Sequence, residues 1–371
     1  MLGPVSPAPL PETELDLLLG LLKCICETPA PTSDEAARAK LIAELWGEAG
    51  LEPRIDAVGN VVAKLPGGVG SRVLVAARLD TVFGPDTEIK VNRQGERLLA
   101  PGIGDNSASL AVLSYYAKRL TPELPRARLT LAATVGEEGL GDLRGIRELM
   151  RQAEDFDLVI ALDGHLGTVI DRAVGSKRFE VGLSAAGGHS WGDYPNPSAV
   201  HALGDMVHAL TRISVPKEPR SSLNVGEVQG GTSINAIAQA ARFNLDLRSL
   251  DADVLASLEA EALGRIRRLA NQHRVKADIV QVGDRPVATV DNSALVSAAR
   301  AALEEVGVPL RTAASSTDAN AALAAGLPAI SFGVYRGGDA HRLSEWLDPA
   351  SLATGYAAFV QLVATLSVLD V

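Results

Sequence analysis

Cysteine is nearly absent from the 371-residue chain: only Cys24 and Cys26 occur, on the amphipathic stretch "ELDLLLGLLKCICE". That spacing puts them on different faces of one helix, which argues against a disulfide framework or a thiolate metal cluster. Both are expected to be small buried apolar residues, and a cytoplasmic location follows as the default. Also missing is any uninterrupted apolar run near the roughly 18 to 20 residues that a membrane span needs, although 47% of residues are apolar, so a soluble chain is expected. The first residues, "MLGPVSPAPLPETELDLLLG", have no basic segment ahead of their leucines and carry Glu12, Glu14 and Asp16. They read as a loose Pro-rich tail leading into a helix, not as a secretory signal. No Lys/Arg patch stands out in a chain of net charge −10, which excludes a nucleic-acid surface and leaves small molecules or peptides as partners. There is no internal repeat and no low-complexity segment.

What is present alternates between helix and strand signals. "DEAARAKLIAELWGEAG" is amphipathic and stops at Gly50, "RIDAVGNVVAKLPGG" reads as a hairpin, and "RVLVAARLD" is a buried strand. The helix "NSASLAVLSYYAKRL" and the buried strands "RLTLAATVGEE" and "DLVIALDG" follow. Apolar strands separated by helices predict an α/β domain with both sheet faces covered and ligands at the carboxyl ends of the strands. From residue 177 the pattern changes: "KRFEVGLSA" and "ARFNLDLRS" alternate apolar and polar, as strands of an antiparallel sheet with one solvated face do. Two helices, "PSAVHALGDMVHALTRI" and "DVLASLEAEALGRIRRLANQH", accompany them. A smaller α+β domain over 175–284 is therefore predicted as an insertion into a larger α/β domain formed by 1–174 and 285–371. The α/β signal resumes in "NSALVSAARAALEEVG", "PAISFGVY" and "SLATGYAAFVQLVATL".

Charged groups gather where the strands of the larger domain stop. Asp80 follows "VLVAARL", Asp105 lies in "PGIGDNSAS", Glu137 and Glu138 follow "LTLAATVG", and Asp163 follows "DLVIAL". His341 sits in the Gly-rich loop "GVYRGGDAHRLSEW". Carboxylates brought together repel one another unless a cation neutralises them, and a divalent metal is the economical answer. Adjacent glutamates at a strand end suit that scheme, since one can bind metal while its neighbour takes a proton from water. Each feature has a plainer reading. A Glu-Glu pair often caps an exposed helix, Asp163-Gly164 could be a simple turn, and a lone histidine in a loop is often only exposed. "GIGDNS" has Ser107 where a dinucleotide loop needs its third glycine, so that alternative is set aside.

The ordered series "LDTVF", "GIGDNSASL", "TVGEEGLGDLRG", "ALDG", "GGHSWGDYPNPSAVHAL", "GGTSINAIA", "SSTDAN" and "HRLSEW" resembles the zinc-dependent aminoacylase, acetylornithine deacetylase and glutamate carboxypeptidase family, in particular its tripeptidase-like members. The resemblance implies a large metallohydrolase domain with a central mixed sheet, plus an inserted lid that also dimerises. It implies hydrolysis of an amide bond in a small peptide or N-acyl amino acid, with zinc as cofactor and cobalt or manganese as possible substitutes. By the same resemblance Asp105 bridges two metal ions from a peptide that is often cis, Glu138 and His341 hold one ion, and Asp163 holds the other. Glu137 is the implied general base and His189 the implied oxyanion donor lent by a partner subunit. Asn235 and Arg248 are implied to hold substrate, and Ser316 and Thr317 to line its pocket. Asp80 is implied to orient a metal-binding histidine two residues before it.

At that position the chain has Arg78. A guanidinium offers donors only and cannot replace a neutral imidazole on zinc. It is expected to salt-bridge Asp80, Asp163 and Asp105 where the second ion would sit. Three outcomes follow: a one-metal enzyme, a catalytically weakened or silent relative that binds peptides or acyl amino acids, or an isolated change in an active lineage. Retention of the other site residues favours the first or the third.

Overall fold

The strand Arg72–Arg78 is buried along nearly its whole length, and its apolar composition requires a neighbour on each side. Those neighbours are Arg128–Thr134 and Leu158–Leu162, both in parallel register with it. In the computed structural model, which describes residues 10–120 and 126–368, these three strands form the middle of an eight-stranded mixed sheet. Its order is Arg54–Ile55, Val61–Lys64, Arg128–Thr134, Arg72–Arg78, Leu158–Leu162, Ala329–Phe332, Thr168–Ala173, Arg311–Ser315. The expected hairpin is there, with Arg54 opposite Val62. Residues 1–9 of the expected Pro-rich tail lie outside the described residues.

Helices Glu12–Glu27, Ala36–Glu48, Ser109–Lys118, Ser293–Glu305 and Pro349–Thr365 bury apolar faces in one core with this sheet. Leu22, Trp46, Leu113, Leu303 and Phe359 are fully buried there, and burial of such side chains contributes about 1.5–3 kcal/mol each. The last helix, continued to Val368, is long and apolar enough by composition to cross a membrane, but Leu352, Phe359, Leu362 and Val363 belong to the core. Cys26 is buried in the core, whereas Cys24 is exposed, contrary to the expectation that both are buried. Two residues along a helix turn about 200°, so the core face can hold only one of them. Both thiols are free.

The helix expected from Asn106 begins later. Ile103–Ala108 winds as a wide π turn around a cis Asp105–Asn106 peptide, and the α-helix proper is Ser109–Lys118. Gly104 is needed there because an added Cβ would lie 2.4 Å from the ring of Tyr335.

The residues through Ala173 and from Thr289 onward form one compact unit, and Val174–Ala288 forms the second. The second unit is a four-stranded antiparallel sheet in the order Ser221–Gly230, Ala240–Ser249, Gly175–Ser184, Lys276–Arg285. Phe179, Val181, Phe243 and Leu245 face a core shared with helices Ala199–Leu210 and Ala252–His273. The alternation of buried and exposed residues in Ala240–Ser249 is the one-sided burial that its sequence predicts. The two edge strands are not evident in the sequence. Ser221–Gly230 is largely exposed, so little apolar patterning marks it. Lys276–Arg285 carries the unit past residue 284, the limit expected from sequence.

Candidate metal centre

The parallel trio brings three carboxyl ends to one edge of the large sheet. Asp80 lies two residues beyond Arg72–Arg78, Glu137 and Glu138 lie just beyond Arg128–Thr134, and Asp163 directly follows Leu158–Leu162. The π turn brings Asp105 to the same place. His341, at φ 65°, is delivered by the loop between Arg336–Gly338 and Trp346–Asp348, which pair in a separate small sheet.

Three of these side chains converge. His341 Nε2 lies 2.9 Å from Asp105 Oδ2 and 3.0 Å from Glu138 Oε1, and the candidate ligand atoms of the three all fall within 4.8 Å of one another. An ion bound through nitrogen and oxygen at roughly 2.0–2.2 Å could touch all three, so this donor set fits one zinc-like cation. Hydrogen bonds to Asp105 and Glu138 push the imidazole pKa up to about 10. Asp163 stands outside this trio, and its pKa is raised to about 7, chiefly by burial and then by the charge of Asp105.

Arg78 lies among the same groups, only 3% exposed. Its Nη2 ion-pairs with Asp105 Oδ1 and stands 2.8 Å from Glu138 Oε1, while its Nε is 3.5 Å from Glu137 Oε2. Nη1 donates to the backbone carbonyl of Asp80. Burial opposes the charge, but Asp105, Glu138, Glu137 and Asp163 together hold the guanidinium pKa well above its ordinary value. Burial raises the pKa of Asp105 and Glu138, but Arg78 and His341 together outweigh it, so that of Asp105 falls to about 2 and that of Glu138 is lowered. The ion pairs are therefore with Asp105, Glu137 and Glu138, not with the carboxylates of Asp80 and Asp163 as the sequence led one to expect. With a donor-only group at position 78, the residues do not fit a second ion.

The carboxylate of Asp80 meets two backbone N–H groups and a hydroxyl. Its Oδ1 accepts the Glu137 N–H at 3.1 Å, and its Oδ2 accepts the Glu138 N–H at 2.8 Å and the Thr32 hydroxyl at 2.9 Å. The strand end thus clamps the backbone of the glutamate pair. Two further carboxylates hold the site's loops and were not anticipated. Glu345 accepts the N–H groups of Gly102, Gly104 and Asp105, each at 2.9 Å, and Glu35 accepts the N–H of Ser33 and Gly136 and pairs with Arg144. Glu345 lies within the "HRLSEW" segment, the only sequence signal for it; nothing marked Glu35. Buried Arg38 donates to the carbonyls of Thr28 and Leu79 and so ties down the turn into Asp80.

Of the other predicted residues, Thr317 is buried with its hydroxyl 2.7 Å from Ser331 Oγ, and Ser316 is half-buried beside it. His189, Asn235 and Arg248 belong to the second unit. The exposed His189 accepts the N–H groups of Trp191 and Gly192 on Nδ1. Asn235 is exposed and takes the Ser233 hydroxyl, while Arg248 Nε is 2.7 Å from Asp246.

This constellation on a mixed sheet, with a second antiparallel unit inserted into the chain, is that of a metallopeptidase fold. A model of peptidase family M20/M25/M40 matches residues 74–365, and the chain belongs to that family. A Pyrococcus horikoshii protein assigned by name to LysW-lysine/LysW-ornithine hydrolysis is 35% identical over 149 residues, 40% of this chain and 42% of that one. The chain thus spans somewhat less than half the length of the first curated relatives it matches. Among solved structures, a Staphylococcus aureus tripeptidase superposes with a TM-score of 0.78 at 19% identity, covering 95% of this chain and 98% of that one. A dinuclear metal-binding peptidase of the M20 family from Bacillus subtilis has a TM-score of 0.66 at 15% identity, covering 95% and 98%. These two likenesses are of fold.

Proposed function

We propose that the chain is a metal-dependent amidohydrolase that cleaves an amide bond in a small peptide or an N-acyl amino acid. The observation that carries this reading is the convergence of Asp105, Glu138 and His341 with the buried carboxylate of Glu137 alongside. A divalent ion held by those three residues, zinc or alternatively cobalt or manganese, would polarise the scissile carbonyl and acidify water. Glu137 accepts the proton of the attacking water on a carboxylate oxygen and returns it to the leaving amine. The Asp80 clamp on the backbone of Glu137 holds that carboxylate in place. His189 accepts on Nδ1, so its proton resides on Nε2 and is available to an oxyanion. Arg248 and Asn235 are the groups assigned to hold a substrate carboxylate and amide.

The larger unit is read as the catalytic domain and Val174–Ala288 as a lid that also forms a homodimer, on the motif resemblance. A cytoplasmic setting is kept as the default for a chain with two cysteines. The test is elemental analysis together with hydrolysis of a panel of di- and tripeptides and N-acyl amino acids in zinc, cobalt or manganese. Bound metal with cleavage is the expected result; no bound metal and no cleavage in any of the three overturns the reading.

A further inference from the structure

We infer that the guanidinium of Arg78 permanently replaces one of two metal ions, so that the chain carries a single divalent cation, held by Asp105, Glu138 and His341. The inference rests on the metal reading above and specifies its stoichiometry.

The geometry of Asp105 is the first support. Its two carboxylate oxygens face different partners, Oδ1 the guanidinium of Arg78 and Oδ2 the imidazole of His341. A carboxylate that bridges two metals divides its oxygens in the same manner. Here one side of the bridge already has a cation bonded to the protein.

Charge is the second support. Asp105, Glu137 and Glu138 surround Arg78, and one fixed positive charge plus one divalent ion balances these three carboxylates. A second divalent ion would stand beside a buried guanidinium that cannot lose its proton.

The third support is that the arginine has no easy exit. It is almost wholly buried at the end of the central strand, and Nη1 is tied to the carbonyl of Asp80. Swinging it out would remove a buried positive charge from beside Asp105, Glu137 and Glu138, leaving the His341 contacts to Asp105 and Glu138. Asp163, which the family resemblance assigns to the second ion, lies outside the convergent trio.

The experiment uses the full chain, stripped of metal and titrated with cobalt(II), with ions per chain counted by elemental analysis and by the saturation point of the visible absorption. The wild type should saturate at one equivalent and Arg78→His at two. Asp163→Asn should leave the wild-type count at one, and should bring the Arg78→His count back from two to one. Two equivalents in the wild type would overturn the inference and leave the amidohydrolase reading standing. No cobalt in the wild type but uptake by Arg78→His would also overturn it, since the arginine would then be excluding both ions. No uptake by either protein would overturn the metal reading itself. If Arg78→His fails to fold, the wild type and Asp163→Asn decide alone: one equivalent in both supports the inference, and two in the wild type or a loss in Asp163→Asn defeats it.

Discussion

Arg78 Nη2 stands 2.8 Å from Glu138 Oε1, the same oxygen that His341 Nε2 approaches from 3.0 Å. A buried guanidinium is costly to desolvate, and it is stable here because Asp105, Glu137 and Glu138 all face it. Truncating it to Arg78→Met should therefore destabilise the metal-free protein by about 3–5 kcal/mol, as removing one partner of a buried ion pair does. Saturating zinc should restore part of that loss, because a ligand that binds only the folded state stabilises it. Denaturant melts with and without zinc measure both quantities.

Glu137→Gln should lower turnover by roughly 10²- to 10⁴-fold, the range for loss of a general base. Its metal content should match the wild type, because Glu137 is not among the three convergent ligands. Steady-state kinetics beside a metal count on the same preparation separates the two effects.

Asp80→Ala removes the acceptor for three donors, the N–H groups of Glu137 and Glu138 and the Thr32 hydroxyl. The Thr32 hydroxyl keeps the Thr81 carbonyl at 3.3 Å, but each of the two N–H groups left unsatisfied costs about 1–3 kcal/mol, so a loss of about 2 kcal/mol or more is expected by chemical denaturation. Turnover should fall as well, since the glutamate pair loses its backbone clamp.

At Gly104 a methyl group would lie 2.4 Å from the ring of Tyr335, which is itself buried and has little room to yield. Gly104→Ala should cost about 1–3 kcal/mol through overpacking. It should also weaken zinc binding, because the strain falls next to Asp105. Competition with a chromophoric chelator reads the affinity, and thermal melting reads the stability.

Away from the site, Arg72 forks onto Asp157 and lowers its pKa. A carboxylate whose folded pKa is depressed contributes stability above its unfolded pKa of about 3.9, and the contribution disappears as pH falls through the folded value. The stability difference between wild type and Asp157→Asn should thus be constant near neutral pH and shrink in strongly acidic solution. Urea titrations from pH 7 down to about pH 2.5 follow it.

Much of this architecture is legible along the chain. Fully apolar runs such as "VLVAA" must be central strands, and "ARFNLDLRS" must cover a core with one face, because side-chain period and burial are coupled. The edge strand Ser221–Gly230 largely escapes that logic: exposed on most positions, with only Leu223 and Val225 packed against the core, it is held mainly by backbone pairing to Ala240–Ser249, which residue identity does not record. Position within a motif also named the carboxylates and the histidine that meet at the sheet edge. It did not foresee that Glu345 and Glu35 hold the loops, since their partners are backbone N–H groups far away in sequence.

The sequence by itself determined that an arginine stands where a metal ligand is expected, for that follows from residue identity and order. Only the tertiary structure decided what the arginine does. A guanidinium at the end of a buried strand pairs with the carboxylates that the fold brings within its reach. Asp80 is already spent on the backbone of the glutamate pair, so Arg78 turns to Asp105, Glu137 and Glu138.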